Sequence, residues 1–366
     1  MRIAIDIRST LKRKTGIGYY TLNLINHLSG IDRTNSYYLY SDVGFFNRTK
    51  KLPLLPGKNF KHLINRFKMS EENFFKRADI VHTQSYDLRF PVNLKVVLVV
   101  HDLMHRAYPV GQTEESLKKI KLDMERVLLR ADKIIVSSRS THNDLIKFYA
   151  PDQNKIRLIY PGASEDLLRE PSLSQEEKKS LKLKFGITSP FLLYVGTLEP
   201  RKNLENLIRA FQIVKDNSDD LYQLVLAGMR GWGYDGIFKL VDEFNLKKSV
   251  IFTDYVSRPE LKALYELADM FVYPSFYEGV GLPILEAFLF GLPVVTSKSS
   301  SLSEIAGDAA ITADPFKFEE IAESILRIIK DSKFKNELKQ KGKKRLRDFT
   351  WKSAAEKTLE TFNECA

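Results

Sequence analysis

The sequence predicts an α/β protein with two doubly wound, Rossmann-like domains facing a central cleft. Short apolar runs alternate with amphipathic stretches along the whole chain, the pattern of a parallel sheet wrapped by helices. At 366 residues the chain exceeds what one hydrophobic core ordinarily supports. A charged, Ser-containing stretch, EDLLREPSLSQEEKKSLKLKFGI, interrupts the alternation near the middle.

In the first half the expected strands are RIAIDI, YYLYS, DIVHT, VVLVVH, KIIVSS and KIRLIYP. Helices lie between them, including YYTLNLINHL after the turn Thr15-Gly16-Ile17-Gly18. A second series follows: FLLYVGT, QLVLAG, SVIFTDYV, MFVYPS, PVVTS and AAITA, separated by helices such as NLENLIRAFQIVK, PELKALYELA and PILEAFLFG. These elements imply a first domain over 1–165, a linker over 166–186 and a second domain over 187–345. A terminal helix over 346–366, FTWKSAAEKTLETF, is expected to pack back towards the first domain. Ligands of such sheets bind outside the carboxyl ends of the strands, which here border the cleft.

Charge is distributed unevenly. Formal net charge is +11, and residues 1–186 hold 33 Lys and Arg against 20 Asp and Glu, leaving 24 against 26 for the remainder. A one-sided basic bias points to a polyanion, either nucleic acid or an anionic membrane. No recognised nucleic-acid-binding motif appears, so no nucleic-acid partner is expected. The segment FFNRTKKLPLLPGKNFKHLINRFK mixes cations with Phe and Leu as interfacial segments do, although a solvated helix plus loop reads equally well. No run approaches the ~20 apolar residues of a membrane span. The start has no signal-peptide anatomy and the chain has one cysteine, Cys365, so a cytoplasmic location is expected. Ser/His/Asp arrangements, zinc-ligand spacing and an Asp-x-Asp metal motif are missing, which predicts no metal and no cofactor.

The chemistry concentrates in FVYPSFYEGVGLPILEAFLFGLPVVTS. A strand runs into a loop holding Glu278, Gly279, Val280, Gly281 and Leu282, and Pro283 opens a helix with Glu286 expected in its first turn. Free N–H groups of residues 280–282 and the positive helix end suit a diphosphate. Two carboxylates can accept hydrogen bonds from polyol hydroxyls; alone, they could equally be solvated. A second motif, YVGTLEPRKNLENLIRAF, places Gly196 at a strand end and Arg201 and Lys202 ahead of a helix. An adjacent fork and point charge suit a pyrophosphate, although an exposed Arg-Lys pair is often only a solvated turn. A third, TGIGYYTLNLI, carries Gly16 and Gly18 in what is also an ordinary turn pattern. A fourth, VVLVVHDLMHRAYP, puts His101 at a strand's carboxyl end, where a structural role is equally open; His82, after DIVH, is a weaker candidate.

In order and over nearly the whole chain, these motifs resemble the retaining glycosyltransferases of family four, which have the GT-B fold and carry a Glu-x7-Glu signature. The resemblance implies that Glu278 meets the transferred sugar, Glu286 the nucleotide ribose, and Arg201 and Lys202 the donor diphosphate. It also implies that the Gly16/Gly18 loop lies against the phosphates, that His101 contacts the sugar, and that backbone near Tyr255 and Val256 meets the base. The first domain would bind the acceptor and the second the nucleotide sugar. Retention of anomeric configuration follows from the same likeness, while metal independence is expected because, with no metal motif, Arg201, Lys202 and the helix amides must balance the diphosphate charge. The opening MRIAIDIRST and the VVHDL segment look most like bacterial mannosyltransferases of surface polysaccharide synthesis, including that of lipopolysaccharide. Expected partners are therefore GDP-mannose and a glycan or lipid-linked acceptor, with peripheral association at the inner face of an anionic membrane. A UDP-sugar donor, or a GT-B-like epimerase, remains open.

Overall fold

The first six apolar runs, and one segment not read as a strand, pair into a single parallel sheet. A computed structural model describes residues 1–11, 16–42, 52–65, 69–87, 90–218 and 222–365. The strands are β1 (Arg2–Asp6), β2 (Ser36–Ser41), β3 (Phe60–Ile64), β4 (Ile80–Thr83), β5 (Lys95–Val100), β6 (Lys133–Val136) and β7 (Ile156–Leu158). They are ordered β3-β2-β1-β4-β5-β6-β7. β4 is buried at every position and β5 at all but its first, which is why these strands read as unbroken apolar runs rather than as alternation. β3 differs: its burial falls off after Phe60, because it lies at the sheet edge beside β2. The interfacial reading of residues 45–68 therefore meets a strand at its centre, while residues 45–51 and 66–68 lie outside the described part.

Six further strands form a second parallel sheet: β8 (Phe191–Val195), β9 (Gln223–Ala227), β10 (Val250–Asp254), β11 (Met270–Tyr273), β12 (Val294–Ser297) and β13 (Ile311–Ala313). Their order is β10-β9-β8-β11-β12-β13. Each sheet reverses direction once, between β1 and β4 in the first and between β8 and β11 in the second. Doubly wound sheets bind ligands at such switch points.

Two compact units result: Met1–Gly162 with Phe349–Ala366, and Ala163–Asp348. The stretch 166–186 is not a linker. It contributes the helices Glu165–Leu168 and Gln175–Phe185 to the second unit, and Leu167 and Leu181 are buried there. Ser174 and Glu177 close a reciprocal capping box at the second of these helices, satisfying two amides that would otherwise lack partners.

The last helix, Trp351–Asn363, belongs to the first unit. Its Trp351, Ala354, Ala355 and Phe362 share one apolar cluster with Tyr20, Leu24, Ile25 and Leu28 of helix Gly16–Ile31. Burying two large aromatics in this way contributes about 1.5–3 kcal/mol each. Beyond the helix, Glu364 accepts from Lys133 (2.6 Å) and pairs with Arg157, which ties the chain end to β6 and β7. No helix among the described residues is long and apolar enough to cross a membrane.

Candidate active site

In the second unit, β8 ends at Val195 and the chain turns through Pro200–Lys202 into helix Leu204–Asp216. Asn203 takes a left-handed conformation at that junction (φ 60°). It is held there by donating to the carbonyls of Pro274 (3.0 Å) and Pro315 (2.6 Å). The turn directs Arg201 and Lys202 at the loop that follows β11. Lys202 Nζ donates to Glu278 Oε1 (2.6 Å) and to Tyr273 Oη (2.9 Å). Arg201 Nη1 lies 2.8 Å from Glu278 Oε2 and donates to the Tyr277 carbonyl at 2.7 Å. Arg201 Nη2 donates to Glu199 Oε1 (2.7 Å), and Tyr273 Oη donates to Glu278 Oε1 (3.0 Å).

Glu278 is thus buried with both oxygens engaged by cations. Burial alone would raise its carboxyl pKa, but Lys202 and Arg201 outweigh it and bring the group down to about 2. Its backbone is pinned as well: the Glu278 amide donates to Ser300 Oγ (3.0 Å), and Ser301 Oγ donates to its carbonyl (2.8 Å). The result is a fixed cluster in which two positive charges share one permanently ionised carboxylate. Such preorganised cations can stabilise charge that develops on a phosphate leaving group.

Gly279, Val280 and Gly281 continue the loop and are buried. Gly281 precedes the helix with φ 91°, a conformation that favours glycine. The helix runs Leu282–Leu289 with Pro283 as its second residue, so Glu286 is its fifth residue and lies beyond the first turn. The expected support from the helix N-terminus is replaced by two hydroxyls. Ser164 Oγ donates to Glu286 Oε1 (2.7 Å) and Tyr265 Oη donates to Oε2 (2.9 Å). Burial raises the Glu286 carboxyl pKa and these two bonds oppose it. The two carboxylates therefore sit in opposite electrostatic settings, one clamped by cations and one by neutral hydroxyls.

Gly196 and Gly228 end β8 and β9, and their backbones are in contact: a Cβ on Gly228 would collide with the Gly196 carbonyl. Glycine there permits close approach of two chain segments. Tyr255, 52% exposed, and Val256 follow β10 on the surface of the same unit.

The other sequence-derived candidates lie in the first unit. Gly16 and Gly18 form no turn of their own but are the first and third residues of helix Gly16–Ile31, and Gly18 packs against the Ser9 carbonyl. Thr15 lies outside the described residues. His101 follows β5, with its Nδ1 3.2 Å from Ser137 Oγ and Tyr20 edge-on to its ring at 4.7 Å. Its Nε2 is buried without a hydrogen-bond partner. Burial brings the imidazole pKa down to about 4, against a smaller opposing effect of Asp102, so the ring is neutral at physiological pH. Asp102 itself accepts from the amide of Met104 (3.0 Å), the first residue of a short helix. His82 is fully buried, packs against Phe362 of the last helix, and is brought to about 3 by burial and by His101.

Two family models divide the chain between them: glycosyltransferase family 4 over residues 15–167 and glycosyl transferases group 1 over residues 175–345. The chain belongs to the family-four glycosyltransferases. This glycosyltransferase is 27% identical to the O-antigen chain mannosyltransferase B of Escherichia coli, over 95% of this chain and 96% of that one. It is 29% identical to the serotype-specific mannosyltransferase WbdA of Escherichia coli over 77% of this chain but only 35% of that longer one. Among solved structures, sucrose-phosphate synthase from Thermosynechococcus elongatus matches with a TM-score of 0.75 at 20% identity, covering 100% of this chain and 98% of that chain. Anabaena HepE in complex with UDP and glucose matches with 0.73 at 17%, covering all of both chains. At these identities the structural matches establish the fold, which is GT-B.

The glycosyltransferase's motifs did not reveal Tyr273, Tyr265, Ser164 or Asn203, which position its charged residues. Tyr273 closes a strand that was read correctly, and its place at the carboxyl end was a usable signal. Ser164 has no local signal, because its partner is 122 residues away.

Proposed function

We propose that this glycosyltransferase transfers mannose from GDP-mannose, with retention of anomeric configuration, to a glycan or lipid-linked acceptor during cell-surface polysaccharide assembly. The cluster of Arg201, Lys202 and Glu278 carries the reading. Two preorganised cations at a strand end suit a diphosphate, and their shared carboxylate suits a sugar hydroxyl. The likeness to the O-antigen mannosyltransferase over nearly all of both chains supports mannose.

In the proposed reaction the anomeric carbon parts from the diphosphate oxygen through an oxocarbenium-like state. The acceptor hydroxyl oxygen bonds that carbon on the same face, and its proton passes to the departing phosphate oxygen. Arg201 and Lys202 stabilise the charge on the leaving diphosphate, so no metal is required. Glu278 positions the sugar and is not a nucleophile: both its oxygens are held by cations, and its depressed pKa makes it a weak base. Glu286 receives the ribose hydroxyls, Tyr255 and Val256 flank the base, and neutral His101 hydrogen-bonds the transferred sugar. Gly16 and Gly18, at the start of helix Gly16–Ile31, lie against the donor phosphates. The protein works at the inner face of the cell membrane, where exposed Leu54 and Leu55 (94% and 45%) give an apolar contact within the basic segment.

The test is a panel of GDP- and UDP-sugars with an oligosaccharide acceptor, the product anomer being read by NMR. Turnover with GDP-mannose to an α-linked product is expected. Turnover with UDP-sugars alone overturns the donor, a β-linked product overturns retention, and a glycosyl adduct trapped on Glu278 overturns its positioning role.

A further inference from the structure

A pocket of about 450 Å³ opens wholly within the first unit. It lies where β2, β1 and β4 end, at the switch point of that sheet. Asp6, Arg8, Leu11, Ile17, Asp42 and Gln84 are among its walls. Of these, Ile17 lies between Gly16 and Gly18, and the others are not among the residues assigned to the donor above.

The cation in this wall already has its counter-charges. Arg8 Nε and Nη2 donate to the two oxygens of Asp6 (3.0 and 2.9 Å), and Nη2 lies 3.5 Å from Asp87. Asp6 is buried and also accepts from Thr83 Oγ1 (3.0 Å), so the pair is fixed from β4 as well. One arginine against Asp6 and Asp87 leaves this corner with an excess of negative charge, unlike the donor cluster with its two cations, and that excess disfavours an incoming phosphate or carboxylate. Asp42, exposed at the end of β2, adds a negative charge to the lining. The Gln84 amide is anchored by donating to Thr21 Oγ1 (2.7 Å). Leu11 and Ile17 supply an apolar side to the same pocket, and Ile17 is 42% exposed.

A surface that joins carboxylate and amide acceptors to an apolar wall matches a sugar ring, which has a C–H face and a rim of hydroxyl donors. We propose that this pocket seats a neutral hexose unit of the acceptor glycan, its C–H face on Leu11 and Ile17 and its hydroxyls on Asp42 and Gln84. The inference rests on the glycosyltransferase reading given above and narrows its acceptor to uncharged sugars.

The test is saturation-transfer NMR on the full chain with an α-linked mannobiose and with its analogue oxidised to a uronic acid at the terminal hexose. Parallel GDP titrations report on the donor site. Mannobiose is expected to bind and the uronic acid about tenfold more weakly. Gln84→Ala and Asp42→Asn should each weaken mannobiose about tenfold while leaving GDP affinity unchanged. Equal binding of the two disaccharides overturns the neutral-sugar assignment. Unaltered mannobiose binding by both variants, with GDP affinity intact, overturns the site. Failure of the wild type to bind GDP, with the mannobiose pattern retained, defeats the donor reading and leaves the pocket in place.

Discussion

Two sets of buried ionisable groups, one in each unit, are settled in opposite ways. In the second, Arg201, Lys202 and Glu278 are all charged, buried and mutually paired. In the first, His101 and His82 are buried and neutral, and His101 Nε2 has no hydrogen-bond partner. An incoming diphosphate can share the two cations that Glu278 already holds in place. Neutral ring nitrogens can meet only hydroxyls and amides at low cost. On the proposed function, the charged cluster serves the diphosphate and the neutral histidines serve hydroxyls, and the predictions below are ordered by how hard they strain that contrast.

The largest effect is expected from removing a cation. Lys202→Ala should lower turnover by about 10²–10³, the usual cost of losing one preorganised transition-state donor, as measured by initial rates at saturating GDP-mannose. It also leaves a buried carboxylate short of a partner, so the melting temperature should fall. A variant with near-normal turnover would move phosphate chemistry elsewhere.

Glu278→Gln comes next, because breaking a buried ion cluster costs about 3–5 kcal/mol. The pH dependence has a definite sign. The Glu278 carboxyl lies at about 2 against 4.5 for the free side chain, so its stabilisation is complete above pH 4.5 and is lost as pH falls towards 2. Urea midpoints of the wild type and Glu278→Gln should therefore converge on acidification, and a gap that widens would contradict the ion-pair account.

Glu286→Ala should weaken GDP binding by about tenfold, a loss consistent with its hydrogen bonds to ribose, with Ser164 and Tyr265 losing their acceptor. Calorimetry reads this directly. A smaller signal is expected from the first unit. His101 lies at about 4, brought down by burial, whereas an unfolded histidine titrates near 6.5. Its ring resonances should stay constant from pH 8 to pH 5, and its contribution to stability should decline as pH falls below 6.5. The smallest effect is none at all: EDTA should leave turnover unchanged.

Much of this contrast was legible in the residues. Runs such as KVVLVV and FLLYV announce buried parallel strands, because both faces of each are covered. The Arg201-Lys202 pair and the Glu278 loop stood out because each follows such a strand. β3 was lost because an edge strand keeps only part of its apolar pattern. The stretch 166–186 looked like a linker by composition, although Ser174 and Glu177 carry a capping-box spacing that marks a helix start. Glu286 falls one residue further into the helix than its sequence suggests, since Pro283 sits at the second rather than the first helical position. That Glu286 rests on Ser164 and Tyr265, and Lys202 on Tyr273, follows from tertiary contacts that no local pattern encodes.

The most direct test of the charge cluster is calorimetric titration of the wild type and Lys202→Ala with GDP and with UDP. The account predicts that GDP binds the wild type more tightly than UDP, and that Lys202→Ala loses at least about tenfold in GDP affinity. Equal GDP affinity in a folded Lys202→Ala variant, or no nucleotide binding by the wild type, would contradict it.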